Sequence, residues 1–316
     1  MASELEKSIL SAIIYFDIFD YPLTLIEIYN SILDLSSKQC SVSLDQIRNS
    51  LDRSIILNKQ ICAKSGFFYL RGRDKIVAIR HNRYIIAKQK FDYARKILSI
   101  LKCVPFVRAI FICNSLAYNN TKKQSDIDLV IVAKKGGVWW ARFFSLIFLS
   151  MIRIRPGNKN TRNKICLSVF VDENNLDFLN LRMFKRDIDF MYWVANFYPI
   201  YDSQGLYKKF YEANEYWLQK NLINIKPIIP HPNRVTIAQP FIRSLIEFLL
   251  GPFSILASII QRAKFPKQIK ELINQDTRVR VDNGLLKFHV NDRRIEHLEM
   301  FIKKYEKVVA HNKISN

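Results

Sequence analysis

The chain has 316 residues with an apolar fraction of 49%, which excludes a disordered polymer and allows one to three folded domains. Lysine and arginine outnumber aspartate and glutamate by 49 to 28, so the net charge of +21 favours a polyanionic partner such as RNA or DNA. The five cysteines are odd in number and widely spaced, and no secretory signal pattern begins the chain. These features predict reduced thiols in a cytoplasmic protein.

The first part of the chain, residues 1–72, carries the signals of a small helical module with a hairpin. A helical pattern covers residues 4–17, a second helix follows it, and Ser43 begins a third helix with a capping box. Two short strands at 61–63 and 67–70 then flank a turn. This order predicts a winged-helix-like domain, and such domains either read DNA or serve as structural pieces that dock a protein or present a substrate.

One long helix is predicted over residues 74–101. Residues 71–102 contain ten lysines and arginines against two acids, so the outer face of this helix is expected to form a basic ridge. We expect Arg80, Arg83 and Lys90 on this ridge to contact nucleic acid. The opposite face is predicted to be a buried stripe of residues spaced by three and four: Tyr84, Ala87, Phe91, Ala94, Leu98 and Leu101.

Two apolar runs, 107–113 and 127–133, flank a polar loop and predict neighbouring strands. Asp126 and Asp128 stand at the start of the second run, and their spacing places both on one side of a strand. Hard cations such as Mg²⁺ prefer carboxylate oxygens and often bridge them to substrate phosphates, although Asp-x-Asp also occurs at solvated strand ends. Residues 129–171 contain eight lysines and arginines and no acid, which predicts positive surface nearby.

This segment is similar to the signature of nucleotidyltransferases of the DNA polymerase beta superfamily. Asn114-Ser115, a polar spacer and then Asp126-Ile127-Asp128 stand where that family has Gly-Ser or Gly-Gly, a spacer of this size and Asp-hydrophobic-Asp. The chain also resembles a bacterial subgroup with a winged-helix-like segment before the transferase core and a helical region after it. Four further segments share in the resemblance: 15–23, 164–172, 199–205 and 286–294.

The resemblance implies transfer of a nucleotidyl group from an NTP to a hydroxyl, with two Mg²⁺ ions held by Asp126 and Asp128. The family often places a third acid on the adjacent strand, here predicted at 165–171, and Asp172 is the candidate for that role. Asn114 replaces the family's glycine, and asparagine is one of the few residues that tolerate a positive φ. The triphosphate would be bound by four residues: Asn114, Ser115, Lys122 and Lys123.

Two apolar segments, 138–154 and 241–260, approach the length of a membrane span. The first contains Arg142 and the second contains Arg243 and Glu247, and charges within a span are unfavourable. We therefore expect buried or interfacial helices, with peripheral membrane contact as the less favoured alternative.

The predicted fold class is α+β, with a small mixed-sheet nucleotidyltransferase core over residues 103–175. The connecting basic helix, 73–102, joins this core to the winged-helix-like domain, and a helical region follows over 176–316. The predicted function is metal-dependent nucleotidyl transfer to RNA, a protein hydroxyl or a small molecule. The alternative is a nucleic-acid-binding regulator built on a catalytically inactive core.

Overall fold

An α+β chain of helices and two sheets is seen in the computed structural model, which confirms the predicted class. The structure describes residues 3–34, 41–155, 161–235 and 243–314. Cys40, residues 156–160 within the predicted basic segment 129–171, and the first two residues of the predicted apolar segment 241–260 lie outside these ranges.

The N-terminal unit matches its predicted helices closely and adds two elements to them. Ser43 and Gln46 form the predicted capping box, and Ser65-Gly66 makes the hairpin turn with positive φ at both residues. The short strand β1 and the helix α4 were not predicted, and β1 turns the hairpin into a three-stranded sheet of order β1-β3-β2. The elements are α1 (Glu4–Asp17), β1 (Leu23–Thr24), α2 (Leu25–Asn30), α3 (Leu44–Arg53), α4 (Ile55–Gln60), β2 (Ile61–Lys64) and β3 (Phe67–Leu70).

The long helix α5 covers Lys75–Leu101, within one residue of its predicted bounds. Its stripe from Ala87 to Leu101 is buried as expected, whereas Tyr84 is 50% exposed and was wrongly assigned to it. The helix lies across one face of the larger sheet, so it connects the N-terminal unit to the strands that follow.

The predicted basic ridge on α5 is wrong at its three named positions. Arg80, Arg83 and Lys90 are only 7%, 8% and 2% exposed. Arg80 pairs with Glu27 at 2.6 Å, and Arg83 pairs with Asp20 at 3.1 Å. Lys90 donates hydrogen bonds to the Ser125 carbonyl and to the Asn163 side chain. All three cations are bonded to groups inside the protein, so they are not available to phosphates of a nucleic acid.

The larger sheet is mixed and has six strands in the order β7-β4-β5-β6-β9-β8. The predicted neighbours β4 and β5 are antiparallel, and β5 and β6 are parallel. Every other pair in this sheet that the structure describes is antiparallel. The strands are β4 (Val107–Ile112), β5 (Ile127–Ala133), β6 (Ile165–Asp172), β7 (Tyr198–Asp202), β8 (Val279–Val281) and β9 (Leu285–Phe288).

The region after residue 176 is not purely helical, because it contributes β7, β8 and β9 to the sheet. Pro199 lies within β7, and a proline is tolerated there because β7 is an edge strand. Strands β8 and β9 have three and four residues, too few to show an alternating pattern in the sequence.

The two faces of the larger sheet are covered by different helices. Alternate residues such as Phe111 and Val130 share a hydrophobic core with α1, α8 and α9, so this core continues from the N-terminal unit into the sheet. The opposite residues, such as Ile110 and Ile131, pack against α5 and α7. The remaining helices are α6 (Asn114–Ala117), α7 (Val138–Met151), α8 (Ile188–Ala195), α9 (Leu206–Leu218), α10 (Arg243–Leu250), α11 (Ser254–Ala263), α12 (Lys267–Leu272) and α13 (Arg294–Ile314).

Candidate functional site

Asp126 and Asp128 meet a thiol at the start of β5. Asp128 pairs in register with Cys166 on the neighbouring strand β6. Ligand atoms of the two carboxylates and of the Cys166 thiol all lie within 4.8 Å of one another. Both aspartates are half-buried, and their carboxylates converge as the Asp-x-Asp spacing predicts.

Asp172 does not belong to this cluster, so its prediction as the third acid is wrong in the structure. Strands β5 and β6 are parallel, with Asp128 opposite Cys166 and Ala133 opposite Asp172. At about 3.3 Å per residue, Asp172 is roughly 20 Å further along the strand. Its carboxylate accepts hydrogen bonds from the Asn174 N–H and from the Asn175 side chain, so it stabilises a turn there.

The turn after β4 brings Asn114 onto the aspartate pair. Asn114 has a φ of 55°, in the left-handed region that asparagine is one of the few residues besides glycine to tolerate. Its side chain hydrogen-bonds Asp128, and the N–H of the preceding Cys113 donates to the Asp128 carbonyl at 3.0 Å. The turn and the aspartate pair are therefore one connected unit.

Burial and mutual repulsion raise the affinity of the pair for a positive charge. Burial, followed by the nearby charge of Asp126, raises the pKa of Asp128 to about 7. Burial also raises the pKa of Asp126, against the opposing effect of the Lys90 ammonium. The Lys90 Nζ donates to the Ser125 carbonyl at 2.5 Å and to Asn163 Oδ1 at 3.0 Å, so it fixes the backbone that carries Asp126.

We expect Asp128→Asn to raise the free energy of unfolding by about 2 kcal/mol near pH 8, because it removes a carboxylate whose ionisation is unfavourable in the folded state. A carboxyl group with a raised pKa costs stability above that pKa and none below its ordinary value. The gain should therefore shrink as the pH falls from about 7 to about 4. Urea unfolding of both proteins, in metal-free buffer at several pH values, measures it. A stability difference that does not change with pH would contradict this account.

A cavity of about 440 Å³ opens beside Asn114 and Ser115. Its walls come from the end of α1, from α8 and from the segment between β9 and α13. Two of the segments that share in the family resemblance, 15–23 and 286–294, supply much of this lining. Lys122 and Lys123 lie exposed on the loop before β5 and do not line the cavity. Of the four predicted triphosphate-binding residues, the structure thus brings two to the cavity wall.

Several ionisable residues in this cavity were not predicted from the sequence. The Tyr15 hydroxyl donates to Asp189 Oδ1 at 2.5 Å, and His297 Nδ1 lies 3.1 Å from the same oxygen. Burial lowers the pKa of His289 to about 3, so this imidazole is neutral at pH 7. Burial also lowers the pKa of Lys287, to about 8. The only signal in the sequence was the resemblance of the two segments, which does not single out these side chains.

The arrangement combines a carboxylate pair, a turn with a positive φ at Asn114 and a cavity able to hold one small molecule. Oxygen ligands of this kind suit Mg²⁺ or Mn²⁺, whereas the Cys166 thiol is a softer ligand, and burial raises its pKa and keeps it protonated. The chemistry of this site is inferred from its own residues. Comparison of the chain with protein-family models, with curated proteins and with solved structures gave no match.

Proposed function

We propose that this protein is a metal-dependent nucleotidyltransferase that joins the nucleotidyl group of an NTP to a hydroxyl. The observation that supports this best is the convergence of Asp126 and Asp128 beside the turn at Asn114-Ser115, in the order and spacing of the polymerase beta signature. A mixed sheet that holds these residues on adjacent strands is consistent with a core of this type.

Asp126 and Asp128 would hold Mg²⁺, since their carboxylate oxygens converge and their pair lacks a full counter-charge. The bound ion would stabilise negative charge on the phosphates. Ser115 and the Asn114 turn would bind the triphosphate, with Lys122 and Lys123 approaching from the exposed loop. The acceptor oxygen would attack the α-phosphorus, the bond to the β-phosphate would break, pyrophosphate would leave, and the hydroxyl proton would pass to solvent.

A small-molecule hydroxyl is the acceptor that we favour. The case for RNA depended on Arg80, Arg83 and Lys90, and these side chains are occupied inside the protein. The cavity beside Asn114 and Ser115 has a volume in the range of small-molecule sites and carries both aromatic and charged walls. An acceptor bound there would lie next to the triphosphate-binding turn.

Equilibrium binding of NTP with and without Mg²⁺ tests this proposal. We expect Mg²⁺ to tighten NTP binding at least about tenfold in the wild-type protein, because an ion held by Asp126 and Asp128 would offset the negative charge of the phosphates. The same ion should have almost no effect on the Asp126→Asn variant. Asp172→Asn is the matched control, since this carboxylate lies at the far end of the sheet and should leave the Mg²⁺ effect intact. An unchanged affinity on adding Mg²⁺ to the wild type would refute the proposal.

One observation favours the alternative of a nucleic-acid-binding regulator with an inactive core: Cys166 stands beside the aspartates, where an active enzyme of this family often has an acid. The N-terminal unit, with helices followed by a hairpin, would then act as a winged helix. Its helix α3 exposes Arg48 and Arg53 but also Asp45 and Asp52, so it offers no net positive charge to DNA. Tight, sequence-specific duplex binding that Asp126→Asn leaves unchanged would support the regulator.

A further inference from the structure

The stretch Arg243–Ala263, formed by α10, a 3₁₀ turn and α11, is polar on its inner side and apolar on its outer side. Its most apolar 18-residue window has a mean hydropathy of 1.6, and only 17% of that window is buried. It is the one stretch among the described residues that is long and apolar enough to cross a membrane. Helices of water-soluble proteins normally turn their apolar side to the core, so this orientation is reversed.

The inner side is held to strand β4 and to helix α7 by polar side chains. Arg243, Glu247 and Gln261 are 6%, 5% and 6% exposed. Glu247 accepts two hydrogen bonds from Arg108, at 2.9 and 2.6 Å, and Gln261 donates to the Trp139 carbonyl at 2.8 Å. These buried contacts fix which side of the stretch faces outward.

The outer side, which we call the α10–α11 face, is lined by exposed apolar side chains. Helix α7 packs against α11. An exposed apolar surface of this extent marks an interaction site rather than ordinary solvent-facing surface. The face is made of eight large side chains that are between 42% and 79% exposed: Leu245, Phe248, Leu249, Phe253, Ile255, Leu256, Ile259 and Ile260.

The charges in the segments that contain α7, α10 and α11 favour an anionic partner. Residues 129–171 and 236–270 together contain one acid, Glu247, and it is buried against Arg108. A second copy of this chain would bring two positive surfaces together, whereas an anionic bilayer would neutralise them. Among the described residues of these segments, eight bases are exposed: Lys134, Lys135, Arg153, Arg155, Arg162, Lys264, Lys267 and Lys270.

We propose that the protein binds an anionic lipid bilayer through the α10–α11 face, with both helices lying in the plane of the interface. The apolar side chains enter the boundary between headgroups and acyl chains, and the surrounding bases contact lipid phosphates. The stretch does not cross the bilayer, because Arg243 and Glu247 stay bonded to strand β4 and Gln261 stays bonded to helix α7. This proposal is independent of nucleotidyl transfer.

Co-sedimentation of the full-length protein with vesicles tests this proposal. We expect binding at low salt to vesicles of phosphatidylcholine mixed with phosphatidylglycerol, and weak binding to phosphatidylcholine alone. Phe248→Glu with Ile255→Glu should lower the partition coefficient at least about tenfold, since both side chains leave the apolar phase. The matched control is Ile55→Glu with Ile85→Glu, which replaces two isoleucines that are 75% and 58% exposed in the N-terminal part of the chain. It changes the net charge equally and should shift binding less than about twofold.

Circular dichroism spectra of both double variants establish that they remain folded. Absence of wild-type binding to the anionic vesicles at low salt would overturn the proposal, and so would an equal loss in the two double variants. A wild-type dimer that becomes monomeric in the Phe248 and Ile255 variant, without vesicle binding by either, would assign the face to a second copy of the chain instead.

Discussion

Replacing Arg294 by alanine should lower the free energy of unfolding by about 3–5 kcal/mol, because it leaves a buried carboxylate without its cation. Arg294 is 6% exposed and donates to Asp187 at 2.7 Å, to Asp292 at 2.7 Å and to the Leu181 carbonyl at 3.1 Å. Asp187 has 1% of its side chain exposed, so water cannot replace the lost guanidinium. The substitution therefore removes the link between α8 and the start of α13.

Urea unfolding followed by circular dichroism at pH 7 measures this loss, and the neighbouring Arg293 provides the control. Arg293 forms an exposed pair with Glu296 at 2.6 Å, and such pairs contribute less than about 1 kcal/mol. Arg293→Ala should thus lower the free energy of unfolding only slightly. Equal losses in the two variants would show that burial of the Asp187 pair does not determine the effect.

Replacing Asp128 by asparagine should reduce nucleotidyl transfer at least about 1,000-fold, if the proposed function is correct. The amide is almost the same size and can still contact Asn114, but it lacks the charge that holds a divalent cation. Because the same substitution is expected to stabilise the fold near pH 8, lost activity could not be explained by unfolding. This separation follows from the raised pKa of Asp128.

The assay uses a cellular extract from which the endogenous NTPs have been removed, and the protein labels it with radioactive NTP in the presence of Mg²⁺. Mass spectrometry then identifies the labelled acceptor. Asp172→Asn should retain activity within about threefold, because its carboxylate lies roughly 20 Å along the sheet from the pair. Transfer that survives in the Asp128→Asn protein would remove the assignment. Loss of transfer in Asp172→Asn alone would return that residue to the site.

Local patterns in the sequence predicted the elements that carry the site. Strand β5 has its predicted bounds, 127–133, and the Asp-x-Asp spacing correctly placed both carboxylates on one side. The alternation of side chains along a strand shows which face of the sheet a residue is on. It does not show which residue of the neighbouring strand lies opposite it. The parallel direction of β5 and β6 decides this, and it replaces the expected Asp172 with Cys166.

The charged residues of α5 show a second limit. Arg80, Arg83 and Lys90 recur at the same three- and four-residue steps as Ala87 and Ala94, so periodicity alone would have put them in the buried stripe. Their charge argued for exposure instead. The partners that make burial possible lie 35 to 73 residues away in the chain: Asp20, Glu27, Ser125 and Asn163. Such long-range pairs cannot be found from local sequence patterns.

The position of Lys90 has a consequence for any attempt to shorten the protein. A fragment starting at residue 103 would keep both aspartates, Asn114 and the whole of β5. It would nevertheless lose the ammonium that holds the Ser125 carbonyl and Asn163, and the loop before Asp126 would be released. Two arginines of the same helix, Arg80 and Arg83, pair with Glu27 and Asp20 of the N-terminal unit. A fragment that keeps the aspartate site intact must therefore begin at the N-terminal helices, and we expect cleavage between residues 72 and 103 to loosen the loop before Asp126.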